Sequence, residues 1–373
     1  MTAETTAPNT TADPASAGGD DGGVVPLLAL EPGELERRVA AFMEEAGEPS
    51  FRTEQVVNWV YEQCALGFDE ISTLPTELRA EAGRRFSLTA VEPAYTARSE
   101  DGTIKHLWQL ADGEQVESVL IPTEDRLTLC VSSQAGCALG CRFCATGHFG
   151  FNRHLRTEEI TAQFRNAQRA ARREYDRDIT NVVFMGMGEP MANRENVFPA
   201  LTVLNRGFGI GARRITVSTV GLVPGIRALT ERPEDFGLAV SLHAPNHELR
   251  QEIMRIEKRF PIPELMESIR EYQAESGRRV TFEYLLIDGL NDGLDLADQL
   301  ADLCGDLDCF VNLIPFNPIP AVDWEPTPDD RVAAFARRLH RNGVSAAVRQ
   351  PRGRDIAAAC GQLRLEQSGN GKE

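Results

Sequence analysis

The period of the apolar positions changes along the chain. Between 32 and 88 it is helical: Leu35, Val39, Phe42 and Met43, then Val56, Val57, Val60 and Tyr61. Pro75 breaks that run before a third helix through Leu78 and Ala82. Between 92 and 121 the period shortens to two. Lys105–Leu110 and Gln115–Leu120 flank Ala111-Asp112-Gly113, which predicts a hairpin. From about 126 strand-like and helix-like segments alternate. The strands fall at 127–132, 181–185, 214–219, 237–242, 280–287, 309–314 and 344–349, with helices at 157–173, 263–275, 294–304 and 329–342. Alternating β and α units imply a parallel sheet, and six or so are too few for an eight-stranded barrel. The expected fold is α/β, a partial (β/α)6-type barrel with a small helical N-terminal domain and a β-hairpin adaptor. The expected bounds are a disordered tail at 1–25, a helical docking domain at 26–90, the adaptor at 91–125, the barrel core at 126–350 and a C-terminal segment at 351–373.

One loop follows the first barrel strand and carries three cysteines, Cys137, Cys141 and Cys144, spaced C-x3-C-x2-C. Three thiols within eight residues point to a metal or cluster. Zinc closes with four ligands, and His148 offers a fourth. An iron–sulfur cube on three cysteines leaves one iron open to a non-protein ligand. A second Gly-rich run, Gly186-Met187-Gly188-Glu189-Pro190, follows the next strand. With the cysteine loop it resembles the radical S-adenosylmethionine (SAM) superfamily. That resemblance implies a 4Fe-4S cluster on the triad, with the open iron chelating the methionine end of SAM. Chemistry in such folds gathers at the C-terminal ends of strands, where Ser218, Ser241-Leu242-His243 and Asn317 also fall.

Composition narrows the setting. Of the 373 residues, 42% are hydrophobic and 25% charged, as in an ordinary globular protein, and no apolar run is long enough for a membrane helix. Eight cysteines without a secretion signal argue for a reducing cytoplasm and metal chemistry rather than disulfides. A net charge of −17 excludes indiscriminate nucleic-acid binding. Locally the sign reverses: 331–354 holds arginines at 331, 337, 338, 341, 349, 352 and 354 and no acid. It reads equally as a solvated face and as an RNA backbone contact.

Two further cysteines stand apart, Cys130 in Thr128-Leu129-Cys130-Val131-Ser132-Ser133-Gln134 and Cys360 in Ala357-Ala358-Ala359-Cys360-Gly361-Gln362-Leu363. Taken singly, each is a small buried hydrophobe. Their contexts, together with MGMGEP, SLHAPN, PFNP and RGRDIAAACGQL, resemble the RlmN/Cfr family of RNA adenosine methyltransferases from about residue 30 to 365. The match is nearer the C2-methylating members than the C8-methylating ones. Cys137, Cys141 and Cys144 would then hold the cluster, and Gly188, Glu189, Ser218, Ser241, Leu242, His243 and Asn317 would contact SAM. Cys360 would carry the methyl group, Cys130 would resolve the RNA adduct through a Cys130–Cys360 disulfide, and Glu117 would accept the C2 proton. The resemblance further implies two SAM molecules per turnover and 23S ribosomal RNA as substrate, with transfer RNA beside it. It also implies a flavodoxin or ferredoxin as electron donor, a monomer, and no membrane. A rival of another class is a zinc-stabilised RNA-binding protein without catalysis. Cys64, Cys304 and Cys309 match nothing catalytic. Two departures from the family pattern lie beside the SAM loop. His247 stands where an acid is expected, and Met254-Arg255-Ile256-Glu257-Lys258 replaces a Pro-Ile-Asn-Lys run.

Overall fold

The computed structural model describes residues 23–363. Residues 1–22 of the expected tail and 364–373 of the expected C-terminal segment lie outside them. Strand β1 (Val25–Pro26) already pairs, in parallel, with β2 (Phe86–Ser87).

Helices α1 (Pro32–Glu45), α2 (Phe51–Tyr61) and α3 (Thr76–Arg85) follow the expected apolar periods, burying Leu35, Val39, Phe42 and Met43, then Val56 and Val60, then Leu78 and Ala82. The helical pattern is therefore the buried stripe of each helix. Strands β4 (Ile104–Leu110) and β5 (Gln115–Pro122) make the expected hairpin, and β3 (Val91–Arg98) adds a third antiparallel strand outside it. This third strand was not legible in the pattern. Pro93 and a register shift interrupt it, and most of its side chains are exposed.

Beyond the hairpin the chain builds seven parallel strands: β6 (Leu127–Cys130), β9 (Asn181–Phe184), β10 (Ile215–Thr219), β11 (Gly237–Ser241), β12 (Val280–Leu286), β13 (Cys309–Pro315) and β14 (Ala346–Val348). A small antiparallel pair, β7 (Gln134–Gly136) and β8 (Phe151–His154), frames the cysteine loop. Helices α4 (Thr157–Tyr175), α5 (Arg194–Thr202), α6 (Val223–Thr230), α7 (His247–Ile253), α8 (Ile262–Ser276), α9 (Leu294–Cys304) and α10 (Asp329–Arg341) make the crossovers. Together with the meander they form one ten-stranded sheet in the order β14-β13-β12-β11-β10-β9-β6-β5-β4-β3, an open (β/α)6-type barrel. Parallel strands covered by helices are buried on both faces, so β12 is buried almost throughout.

The helical N-terminal segment does not stand apart. Its buried side chains belong to the same continuous core as those of the barrel. Arg165 on α4 is itself buried and donates to the carbonyls of Ala65 (3.3 Å) and Leu88 (2.5 Å). The Arg-rich segment also resolves. Arg331 pairs with Asp288 and Asp292, and Arg338 with Asp298, at 2.6–2.8 Å. These two belong to a salt-bridged surface.

Candidate active site

The geometry begins with a buried polar hub just past β6. Ser132 Oγ donates to the Glu117 carbonyl (2.5 Å) and accepts from the Met187 amide (2.8 Å). The Gln163 side chain on α4 bonds both the amide and the carbonyl of Ser132, and Gln134 Oε1 accepts from the Glu189 amide (2.8 Å). These bonds fasten the cysteine loop to the Gly186–Pro190 turn. Close packing there needs glycine. A Cβ on Gly188, whose φ is +97°, would lie 2.4 Å from Gln134 Cβ, and one on Gly186 would lie 2.6 Å from the Val131 carbonyl oxygen. Ser132, Gln134 and Gln163 escaped the sequence reading. The polar run after a strand was the only signal.

A cavity opens at the C-terminal ends of the parallel strands. Its walls include all three loop cysteines and, of the residues expected to hold SAM, Gly188, Glu189, Ser218, Ser241, His243 and Asn317; Cys360 also lines it. Leu242 does not. It is fully buried, and its backbone amide bonds the Glu283 carbonyl. Glu283 and Arg349 line the cavity too, although the sequence marked neither as a site residue.

The donor set suits a cluster and SAM. Burial raises all three loop thiols, Cys137 to about 11, and electrostatic repulsion among the thiols adds to it. Buried thiols of this kind ionise when a metal centre supplies the positive charge. His148, the zinc reading's fourth ligand, is exposed and directed at the Arg142 carbonyl (3.1 Å). Among the described residues no group of His, Cys, Asp and Glu closes around a single ion. Glu189 is buried, and burial lifts its carboxyl to about 7 against hydrogen bonds from the amides of Val220 and Met191. An ammonium group beside it would draw it back to the charged form. Burial drives the His243 imidazole down to about 3, so it is neutral. Its Nδ1 accepts from the Leu285 amide (3.0 Å), which leaves the proton on Nε2. Among the described residues that buried Nε2 has no protein partner, on a residue lining the cavity.

The C-terminal segment seats Cys360 over this cavity. Asn317 Nδ2 donates to the Cys360 carbonyl (3.1 Å), and the Ala145 amide to that of Gly361 (2.7 Å). Thr146 Oγ1 reaches the Leu363 carbonyl (2.8 Å). Cys130, at the end of β6, is buried and close enough to Cys360 to feel its charge. Burial foremost, then Cys360, pushes Cys130 up to about 12, with the nearby Arg349 opposing. Arg349 feels both thiols and Glu283. All eight cysteines are free thiols. Glu117 is buried in β5 and does not line the cavity. Its carboxylate pairs with Lys105 Nζ (3.1 Å), which also donates to the Ala357 carbonyl, three residues before Cys360. Cys64, Cys304 and Cys309 are buried away from the cavity.

An open (β/α)6 sheet with a three-cysteine loop and a glycine-rich turn at one cavity defines a radical SAM enzyme. A family model for the radical SAM superfamily matches residues 131–300, and one for the ribosomal RNA large subunit methyltransferase N-terminal domain matches 27–86. A radical SAM methyltransferase from Sphaerobacter thermophilus superposes with a TM-score of 0.87 at 46% identity, over 92% of this chain and all of that one. Relatives from Gemmatimonas aurantiaca and Halalkalibacterium halodurans are 45% and 43% identical, over 92% and 93% of this chain and 94% and 95% of their own lengths. Both carry the name "Probable dual-specificity RNA methyltransferase RlmN". The chain belongs to the RlmN family of radical SAM methyltransferases.

Proposed function

We propose that this chain methylates C2 of adenosine in 23S ribosomal RNA and in transfer RNA, through S-methyl-Cys360 and a covalent protein–RNA intermediate. The observation that carries the reading is the meeting of Cys360 with the three-cysteine loop at one cavity, and of Cys130 with Cys360 beside it. Cys137, Cys141 and Cys144 would hold a 4Fe-4S cluster. Gly188, Glu189, Ser218, Ser241, Leu242, His243 and Asn317 would hold SAM, Leu242 through its backbone. Bound there, cluster and SAM would supply one-electron, hydrogen-abstracting radical chemistry.

Adenine C2 is electron-poor and does not attack a SAM methyl group, so a nucleophile of the protein must accept the methyl first. Cys360 does so as its thiolate, in a displacement that leaves S-adenosylhomocysteine. Hydrogen abstraction from that S-methyl group gives a carbon radical that adds to C2 and tethers the RNA to the Cys360 sulfur. Glu117 takes the C2 proton, and the radical adduct passes one electron to the oxidised flavodoxin or ferredoxin. The Cys130 thiolate then attacks the Cys360 sulfur, the sulfur–methylene bond breaks and the carbon takes up a proton. A Cys130–Cys360 disulfide remains, to be reduced by a thiol reductant. The pairing of Glu117 with Lys105, and of Lys105 with the Cys360 segment, supports a shared site for deprotonation and release.

A dithiol that must be reduced at each turnover, and an RNA substrate, favour the cytoplasm. The electron donor is a flavodoxin or ferredoxin, and the chain acts as a monomer. Among the described residues no helix is long and apolar enough to cross a membrane.

Nucleoside analysis of RNA from a strain lacking the protein tests the reading. Loss of 2-methyladenosine from both RNAs is expected. Unchanged 2-methyladenosine overturns it, and loss of 8-methyladenosine instead assigns C8 chemistry.

A further inference from the structure

We infer that Arg250, clasped by Glu257 and His247, is a positioning residue for the two loops that hold SAM. The inference rests on the assignment of Ser218, Ser241 and His243 to SAM.

Arg250 lies on α7, which is capped by Asn246 Oδ1 accepting the Leu249 amide (3.1 Å). Arg250 and Glu257 are both fully buried. The guanidinium Nε donates to the Leu242 carbonyl (3.2 Å), and Nη2 to those of Val220 (2.7 Å) and Ser241 (3.4 Å). One side chain thus bridges the loop after β10 and the loop after β11. Its Nη1 meets Glu257 Oε2 at 2.5 Å. The other carboxylate oxygen accepts from the Ile262 amide (3.0 Å) and from His247 Nδ1 (2.9 Å).

His247 therefore donates to the same carboxylate that faces Arg250. A buried ion pair adds little stability over an apolar pair of similar volume, so its presence points to geometry. Three carbonyls from two loops are a task for a planar fork; a lysine ammonium cannot span them.

SAM dissociation constants of cluster-loaded protein, measured by equilibrium dialysis beside RNA affinity and thermal midpoint, test this. Arg250→Lys keeps the charge but loses the fork. It is expected to weaken SAM binding about tenfold, a ΔΔG of about 1.4 kcal/mol, with RNA affinity unchanged. Glu257→Asn is expected to weaken SAM similarly and to lower the midpoint. Wild-type SAM affinity in Arg250→Lys and Glu257→Asn overturns the inference. Should Glu257→Asn fail to fold, Arg250→Lys decides alone, with the same two outcomes. Failure of the underlying functional reading looks different, because the parent holoenzyme itself would then bind no SAM.

Discussion

At the scale of single residues, the release step turns on Cys130. Burial holds its thiol near 12, so at neutral pH almost none is ionised. Below its pKa the thiolate fraction of a thiol rises tenfold per pH unit. If Cys130 resolves the adduct, single-turnover release of methylated RNA is expected to quicken about tenfold per unit between pH 7 and 9. A flat profile places another step in control. Cys130→Ala is expected to keep the cluster absorbance and to stall with RNA attached to the 355–364 peptide, visible by mass spectrometry. Cys360→Ala carries no adduct. Fully active, RNA-free Cys130→Ala removes the residue from the reaction. Arg349 is the companion the sequence hid. Within an arginine-rich stretch it reads as one more surface cation, yet it lines the cavity and lowers the Cys130 thiol against its burial. Nothing in its local sequence separates it from Arg338, which pairs with Asp298 outside.

Among the elements, the segment around Gly353–Gly361 decides whether Cys360 reaches the site. It is a loop held by side chains of the β3–β4 turn. Asp101 accepts the Gly353 amide (3.0 Å), and Asp355 accepts Ser99 Oγ (2.6 Å) and the Glu100 amide (3.2 Å). Three residues of this short stretch, Gly353, Ala357 and Gly361, have positive φ, which opposes local preference only at Ala357. The combined variant Asp101→Ala/Asp355→Ala is expected to abolish methylation of Cys360, read by peptide mass, while cluster absorbance stays unchanged. Retained methylation would show that the contacts from Asn317 and Ala145 suffice. The parallel strands, by contrast, could be read before folding, because buried β-strands advertise themselves as apolar runs between turn residues. Strand β3, inside the 92–121 stretch, was not separated from the hairpin, since most of its side chains are exposed.

For the molecule as a whole, the helical N-terminal segment and the barrel share one core, which bears on how RNA docking can be tested. Tyr61 packs edge-on against Phe208 at 5.2 Å, and buried Arg165 has carbonyl partners in the N-terminal part. A chain beginning at residue 91 would expose that apolar surface and strand the guanidinium. It is expected to aggregate on size-exclusion chromatography. A monodisperse chain of residues 91–373 with a full cluster would show two independent units. What the sequence by itself determined was the order of elements, the barrel class and the chemistry of the cysteine loop, because hydrophobic period and ligand spacing are local properties of the chain. Only the tertiary structure decided which of the scattered polar residues share a site. Arg349 and Glu283 join the cavity, Lys105 joins Glu117, and His247 meets Glu257, because strand register and loop docking bring together residues whose separation along the chain carries no information about their contact.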